Sequence, residues 1–587
     1  MKALLVQVDA AYFDANERKP LPRLGLYYIA EYAYHQGEDV KIKQYYSFEP
    51  IIKSIVDILK ANNCNIVGFY VDGENLWVVR RLVIQLKGIN PNVYIIIGGP
   101  QVTGDPQLVL KRIPNVNVAI VGEGERPFSE LMKIDRSNID ELLSVKGVAF
   151  IDKDGEYVYT GSQFTIESQD VYPFPRREKY SLDKNLDFTD ILTGRGCIGK
   201  CAFCFEGSKK DNNLRLRSVE SVIEEIDYIA ANLKTYRYIS FLDDTFILNP
   251  IRTRQICEHL IEKYNGDLKW YCEARVDILM RNTDLLPLMK RAGLIRVQLG
   301  GESGSQSVLD AYGKQMKKDD LVTIARKIYE AGIPSIYINF IIGGAHETLE
   351  TFNETVEQAK RLLEVAPCCA SVGCSVYTPY VGTPMRNNPS KYGIKIVDIE
   401  SLKGPDGRVP CVETAELTQY KIMQLKNIFN EEIVKKQYEL IRVAPKQAIF
   451  SQFKNHYKWG IASEWFDLCR TIEPIKNYHE ALLMYSFRSI VDLTKESLSL
   501  AVPYRTIQPL SDGEAYYRDV FMGELKKNTK LEETLFMLSS GKISYSEILY
   551  LVKKDKQFAD IVDIEEMVYD VFLQFDKEYM VVWKEGW

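Results

Sequence analysis

A chain of 587 residues is too long for one hydrophobic core and predicts about two to four domains. The composition, 46% hydrophobic and 26% charged, is that of a soluble globular protein, and a net charge of −6 argues against general nucleic-acid affinity. No apolar run reaches the roughly 18 residues needed to span a bilayer, and eleven cysteines, three of them in one short motif, argue for a reducing cytoplasm. The N-terminal stretch Met1–Asp9 reads as a strand, with an apolar part too short for a signal peptide.

The first 132 residues alternate strand-like and amphipathic helical runs. Strands are predicted at Ala3–Val8, Val40–Gln44, Ile66–Tyr70, Val93–Ile97 and Val118–Val121. Helices are predicted at Leu24–His35, Pro50–Lys60, Asn75–Lys87 and Pro106–Arg112, with Gly37 and Gly88 as left-handed helix ends. This order predicts a doubly wound parallel sheet, whose ligands bind at the carboxyl edge of the strands. Three loops at that edge are rich in glycine: Asp72-Gly73-Glu74-Asn75, Gly98-Gly99-Pro100 continuing to Thr103, and Gly122-Glu123-Gly124-Glu125. Each is also compatible with an ordinary tight turn. Together they let backbone approach a large flat ligand.

Residues 136–188 connect to the next domain. Lys146–Ile151 and Tyr157–Thr160 flank Asp154-Gly155, a hairpin signal, and Pro173-Phe174-Pro175 favours an extended crossing. The absence of a Gly/Ser linker predicts packed domains. Strand–helix alternation resumes at Asp190–Thr193, Tyr238–Leu242, Lys269–Glu273, Ile295–Leu299, Ser335–Ile341 and Ser371–Tyr377. Six such units predict a partial (β/α)6 barrel with its chemistry at the carboxyl ends of the strands. Polar residues gather there: Asp243-Asp244, Glu273 with Arg275, Gly300-Gly301-Glu302-Ser303 and Gly343-Gly344.

Directly after the first barrel strand comes Thr193-Gly194-Arg195-Gly196-Cys197, continuing to Cys201 and Cys204. C-x3-C-x2-C on a glycine-bearing loop predicts three thiolates converging on one point. Three soft ligands suit an iron–sulfur cluster with one iron left open. No fourth Cys or His follows at zinc spacing, the next being Cys257 and His259. Cys368, Cys369 and Cys374 lack the pairing of a second cluster.

Residues 386–587 predict mostly helices. Tyr457, Trp459, Trp465 and Phe466 read as core in preference to a stacking surface. Leu531–Leu538, Ser544–Val552 and Ile564–Phe575, followed by Tyr579–Trp583, resemble a winged-helix module; a structural cap is the leading reading and peptide binding the alternative.

The cysteine loop resembles the signature of the radical S-adenosylmethionine (SAM) superfamily. Pro22–Leu26, Gly98-Gly99-Pro100 and Gly122–Glu125 resemble the cobalamin-binding domain that precedes many radical SAM cores. The axial-histidine motif D-x-H-x-x-G is absent, and no His lies between His35 and His259, which resembles the branch that displaces the nucleotide tail without a histidine ligand. The resemblance implies a cobalamin-binding domain at 1–135, a linker with a hairpin at 136–188, a radical SAM barrel at 189–385 and a mostly helical domain at 386–587, all α/β except the last.

It further implies a 4Fe–4S cluster on Cys197, Cys201 and Cys204. SAM would lie against Phe203, Gly301, Glu302 and Ser303, with Asp243 and Arg275, on segments that resemble strands two and three of the cobalamin-bearing branch, as further cofactor-binding residues. Cobalamin would lie against Gly98, Gly99, Thr103, Gly122, Glu123 and Gly124, with the Asp72–Trp77 loop, including Gly73 and Asn75, under the lower corrin face. The implied reaction is reductive cleavage of SAM to a 5′-deoxyadenosyl radical, hydrogen abstraction, and methyl transfer from methylcobalamin to an unactivated carbon. The implied partners are a small-molecule or peptide substrate and an external electron donor such as flavodoxin or ferredoxin, with neither nucleic acid nor membrane. A cobalamin-dependent cyclisation, rearrangement or oxidation without methylation is the alternative, and a non-catalytic cobalamin sensor the alternative of another class.

Overall fold

The computed structural model describes residues 2–585 apart from 10–22, 47–49, 164–167, 181–187, 206–213, 233–235, 398–408, 462, 509–515 and 519–524. Pro22, the first residue of the Pro22–Leu26 pattern, lies outside the described residues. The chain divides into two compact units: Met1–Ala366 with Val372–Val434, and Pro367–Ser371 with Lys435–Trp587.

The first unit holds two sheets. The strands β1 (Ala3–Val8), β2 (Val40–Tyr45), β3 (Ile66–Tyr70), β4 (Tyr94–Gly98) and β5 (Val118–Ile120) run parallel in the order β2-β1-β3-β4-β5. All six residues of β1 are buried, because helices cover both faces. Leu4, Val6 and Val8 pack with α2 (Ile51–Ala61) and α3 (Leu76–Ile89). Ala3 and Leu5 pack with α1 (Leu24–His35) and with Phe128 and Leu131. This is the doubly wound sheet that the sequence predicts.

Three local details differ from expectation. Gly88 lies inside α3; Asn90 N still donates to Leu86 O, and one glycine inside a helix costs only about 1 kcal/mol. The Pro100–Thr103 stretch is not loop but the short helix α4 (Pro100–Gly104), because proline is tolerated at a first helical position. It is followed by α5 (Pro106–Arg112) and, after β5, by α6 (Glu125–Lys133). The hairpin β6 (Val148–Ile151) and β7 (Tyr157–Tyr159) does not stand apart: β6 pairs antiparallel with β5 and extends the sheet to seven strands.

The second sheet has the order β8 (Phe188–Ile191), β11 (Tyr238–Phe241), β12 (Lys269–Ala274), β13 (Leu294–Glu302), β14 (Ile336–Ile342), β15 (Ala370–Val376). Neighbours from β8 to β14 are parallel. Between β8 and β11, the short strands β9 (Gly194–Arg195) and β10 (Arg215–Leu216) pair antiparallel, placing Arg195 opposite Arg215. A helix follows each strand from β8 to β14, including Val219–Asn232, Pro250–Tyr264 and Leu349–Val365, as a partial (β/α)6 barrel requires.

In the second unit, Trp465 and Phe466 are fully buried, as core packing demands, and Trp465 Nε1 donates to Ala370 O at 2.7 Å. The terminal helices Lys530–Leu538, Tyr545–Lys554 and Ile564–Lys577 bury Leu535, Phe572 and Phe575 with Trp583. Strands Val502–Arg505 and Val581–Lys584 pair antiparallel beside them. No helix among the described residues is long and apolar enough to cross a membrane.

Candidate functional site

The site is built outward from the end of β8. Thr193 N donates to Asp243 Oδ1 at 2.6 Å, and the Thr193 hydroxyl donates to the same carboxylate. Arg252 donates to Thr193 Oγ1 at 3.0 Å and to Thr193 O at 2.9 Å. Burial pushes the Asp243 carboxyl up, while the Thr193 and Gly194 bonds and Arg252 work against the shift. Asp243 therefore fixes the point from which the cysteine loop departs. Its carboxylate accepts from the Thr193 and Gly194 backbone and from the Thr193 hydroxyl.

The loop then turns through Gly196, whose φ is +91°. Gly199 N approaches Cys197 Sγ at 3.4 Å. A Cβ on Gly199 would collide with Arg275 Nη1, so only glycine lets that guanidinium lie against the loop beside Cys197. Ala202 N donates to Tyr312 O at 2.8 Å, and the half-buried Phe203 ring meets Tyr312 edge-on at 5.0 Å. Burial pushes the Cys201 thiol up, with Lys314 and Arg275 opposing the shift. Cys197, Cys201 and Cys204 share this loop, and among the described residues no three His, Cys, Asp or Glu side chains are grouped so as to hold a single metal ion. A four-iron cube binds each thiolate through a different iron, so its ligands need not gather as closely as those of a single ion. Three thiols on a glycine-bearing loop fit that donor set.

The opposite wall is the end of β13. Glu302 has φ +61°, a left-handed conformation rare for a non-glycine residue. Its carboxylate is buried and receives Lys314 Nζ at 2.7 Å. The partner that a buried carboxylate requires is thus supplied by the chain itself. A Cβ on Gly300 would collide with Glu302 Oε1 and lie 2.6 Å from Lys314 Nζ, so this pair sits directly over the glycine backbone. Glu302 does not cap the next helix, whose N-cap Ser305 makes no side-chain cap bond. Ser303 is buried, and its Oγ receives Ser305 N at 3.1 Å and meets Thr355 Oγ1 at 3.2 Å. A Cβ on Gly301 would lie 2.7 Å from Ile338. Gln298 of β13 donates to Glu273 of β12 at 2.9 Å; burial, then Asp244 and Glu302, push the Glu273 carboxyl up to about 7.

The carboxyl edge of the first sheet carries the other half. A cavity of about 240 Å³ is lined by Leu5, Ile29, Gly68, Ile96, Phe128 and the glycines 98, 99, 122 and 124. Its apolar lining and glycine mouth suit a large organic group approaching backbone closely. Gly99 has φ +113°, and a Cβ there would lie 2.6 Å from Val71 O. Gly122 N donates to Thr103 Oγ1 at 3.0 Å. Asp72 Oδ1 accepts from Glu74 N and Asn75 N at 3.0 Å, an Asx turn, while Asp72 Oδ2 faces Arg23 at 3.4 Å and Gly73 sits half-buried in the same turn. Asn75 is buried: its amide donates to Val8 O and Tyr70 O and its Oδ1 accepts from Asp72 N, so it holds the loop from below.

Glu123 does not point freely from its loop. Arg215 grips it at 2.5 and 3.1 Å, and Arg195 Nη1 approaches at 3.3 Å, while Arg195 Nη2 takes Glu125 at 2.5 Å. Burial opposes the charge on Glu123, but the two guanidiniums outweigh it and hold the carboxyl below its usual range. Sequence reasoning missed Lys314, Tyr312 and the two arginines as site residues. Lys314 has no periodic relation to Glu302. Arg195 lay in the cysteine motif itself, and only its position two residues ahead of Cys197 pointed to it.

The Radical SAM superfamily model matches residues 191–359 and the B12 binding domain model residues 15–132. An uncharacterised methyltransferase of Pyrococcus horikoshii is 30% identical over 371 residues, 62% of this chain and 77% of that protein. The anaerobic magnesium-protoporphyrin IX monomethyl ester cyclase of Rubrivivax gelatinosus is 28% identical over 305 residues, half of this chain; the chain spans about half of that protein, 54%. Among solved structures, the radical SAM methyltransferase TsrM from Kitasatospora setae, with cobalamin and a [4Fe-4S] cluster bound, superposes with a TM-score of 0.60 at 14% identity, covering 82% of this chain and all of that one.

Proposed function

Because the chain belongs to the cobalamin-dependent radical SAM enzymes, whose cofactors are a 4Fe–4S cluster, SAM and cobalamin, we propose that it methylates an unactivated carbon of a small-molecule or peptide substrate. The observation that carries this reading is one compact unit holding both a glycine-lined cavity at the edge of the first sheet and the three-cysteine loop at the edge of the second. When bound, the cluster with SAM supplies a carbon-centred radical and cobalamin supplies the methyl group.

The protein's part is to bind, orient and shield. Cys197, Cys201 and Cys204 would hold the cluster, with Arg275 laid against the loop beside them. Glu302 and Lys314 offer adjacent opposite charges, which match the zwitterionic amino-acid end of SAM; Ser303 and Gly301 keep that strand end in place, and Phe203 would lie against adenine. Asp243 contributes by setting the loop's departure from β8. Gly98, Gly99, Thr103, Gly122 and Gly124 would admit the corrin and its side groups, and the Asp72–Trp77 loop, held by Asn75, would lie under its lower face. An external donor such as a flavodoxin or ferredoxin would deliver the electron, in a cytoplasmic setting.

The test is anaerobic turnover of the loaded enzyme with methyl-deuterated SAM and candidate acceptors. A product carrying one labelled methyl, with S-adenosylhomocysteine formed alongside, supports the reading. The similarity to the cyclases supports a second reading, in which the same cofactors oxidise or cyclise the substrate. A changed product without labelled methyl would select it.

A further inference from the structure

The cavity of the first sheet is not closed by that sheet alone. Its wall includes Leu192 and Arg195, which belong to the segment leading from β8 into the cysteine loop. Arg195 is two residues ahead of Cys197 and sits in the small ribbon directly opposite Arg215. Both side chains reach back to the glycine-rich loop after β5, Arg195 to Glu123 and Glu125 and Arg215 to Glu123. The Arg195 guanidinium is also packed between two rings, 5.3 Å from the centre of Tyr28 and 5.2 Å from that of Tyr172. One residue therefore has its side chain in the wall of one cofactor's cavity and its backbone in the ribbon that starts the other cofactor's loop.

A displacement of the cysteine loop moves that ribbon, and with it the wall and the ion pairs that position residues 122–125. Loop order and cavity shape cannot change independently while Glu123 and Glu125 are held. Building on the two cofactor assignments above, we propose that Arg195 is a positioning residue that couples the two sites: the cluster-bearing loop tightens cobalamin binding in the first sheet, and bound cobalamin favours the cluster-bearing loop. The second half follows from the first, since a coupling between two binding equilibria is reciprocal. An arginine that merely joined the two sheets would alter stability and leave the ratio of affinities untouched.

The experiment measures hydroxocobalamin binding by anaerobic equilibrium dialysis to the full chain, with and without a reconstituted cluster. In the unmodified protein the cluster-loaded form should bind about 5- to 150-fold more tightly, the usual span of such couplings. Arg195→Met should bring that ratio close to one while iron content is retained, and Arg195→Lys, which keeps the charge but not the forked pair, should fall between. Glu125→Gln removes one ion pair without altering the ribbon and should lower the ratio too, which keeps the test informative if Arg195→Met does not fold. A full ratio in both Arg195→Met and Glu125→Gln overturns the proposal, as does a ratio near one in the unmodified protein. Absence of any hydroxocobalamin uptake would instead overturn the cobalamin assignment on which the proposal stands.

Discussion

Strand β1 is buried at every position from Ala3 to Val8, whereas β12 alternates, with Trp270, Cys272 and Ala274 buried and Lys269, Tyr271 and Glu273 half-exposed. Both pair only with parallel neighbours and have helices behind them. The difference lies in what covers the other face. Helices cover both faces of the first sheet, so its central strands β1, β3 and β4 are near-continuous apolar runs, while the edge strand β2 carries Lys41, Lys43 and Gln44. The barrel sheet has helices on one face and presents the other inward, where Tyr271, Glu273, Arg296 and Gln298 stand. The two sites inherit this contrast. The first is a mainly apolar cavity lined by glycines, with the Arg195, Glu123 and Glu125 ion pairs along one wall, and the second is a strand-end rim that carries the Glu302–Lys314 pair.

Four measurements sharpen or break that contrast. The largest effect is expected from replacing Cys197, Cys201 and Cys204 together by alanine. Cluster iron should be lost entirely after anaerobic reconstitution, while the first sheet stays folded. Four irons per chain retained in this variant would remove the cysteines from the site.

At the charged rim, Glu302→Ala leaves the Lys314 ammonium buried without its partner. Breaking one side of a buried pair costs about 3–5 kcal/mol, to be read from urea denaturation. Replacing both by apolar residues, Glu302→Leu with Lys314→Met, should restore much of that loss, and SAM affinity measured by calorimetry should remain poor. Normal SAM affinity in the double variant would make the pair purely structural.

At the shaped site, Gly99→Ala introduces a methyl 2.6 Å from Val71 O at a φ of +113°. A side chain forced into such a conformation costs roughly 1–3 kcal/mol. Cobalamin uptake should fall, and cluster content and SAM cleavage should not. Loss of the cluster in this variant would blur the division between the sites.

The smallest effect concerns Glu273, whose carboxyl is raised from 4.5 to about 7 by burial and by Asp244 and Glu302. Its protonated form is favoured in the folded protein. The associated stability is therefore full below pH 4.5 and is lost as pH rises through about 7. Between those values the folded state binds the extra proton, giving a slope of up to about 1.4 kcal/mol per pH unit. Glu273→Gln should flatten the slope over that window. An unchanged profile would show that Glu273 does not titrate there.

Much of the architecture was legible because it depends on local pattern. The continuous apolar runs of the first sheet, the strand–helix order of the barrel, and the glycines before and among the cysteines are all readable from neighbours in the chain. Gly88 misled because a glycine marks a helix end only when no further backbone bond is gained, and Asn90 N gains one at Leu86 O. Pro100 misled for the converse reason, since proline starts a helix as readily as it breaks one. The hairpin was legible, but the strand it joins was not, because β5, the last strand of the parallel run, carries no sign of which segment will pair with its far side.

The sequence by itself determined the two kinds of sheet, their order, the cysteine loop and the glycine-lined edge, since periodicity and spacing act over a few residues. Only the tertiary structure decided who partners whom. Lys314 meets Glu302 across 12 residues, and Arg195 meets Glu125 across 70. No period relates such pairs; they exist because two chain segments, each stable for its own reasons, bring opposite charges together where water is excluded and an unpaired charge would be costly.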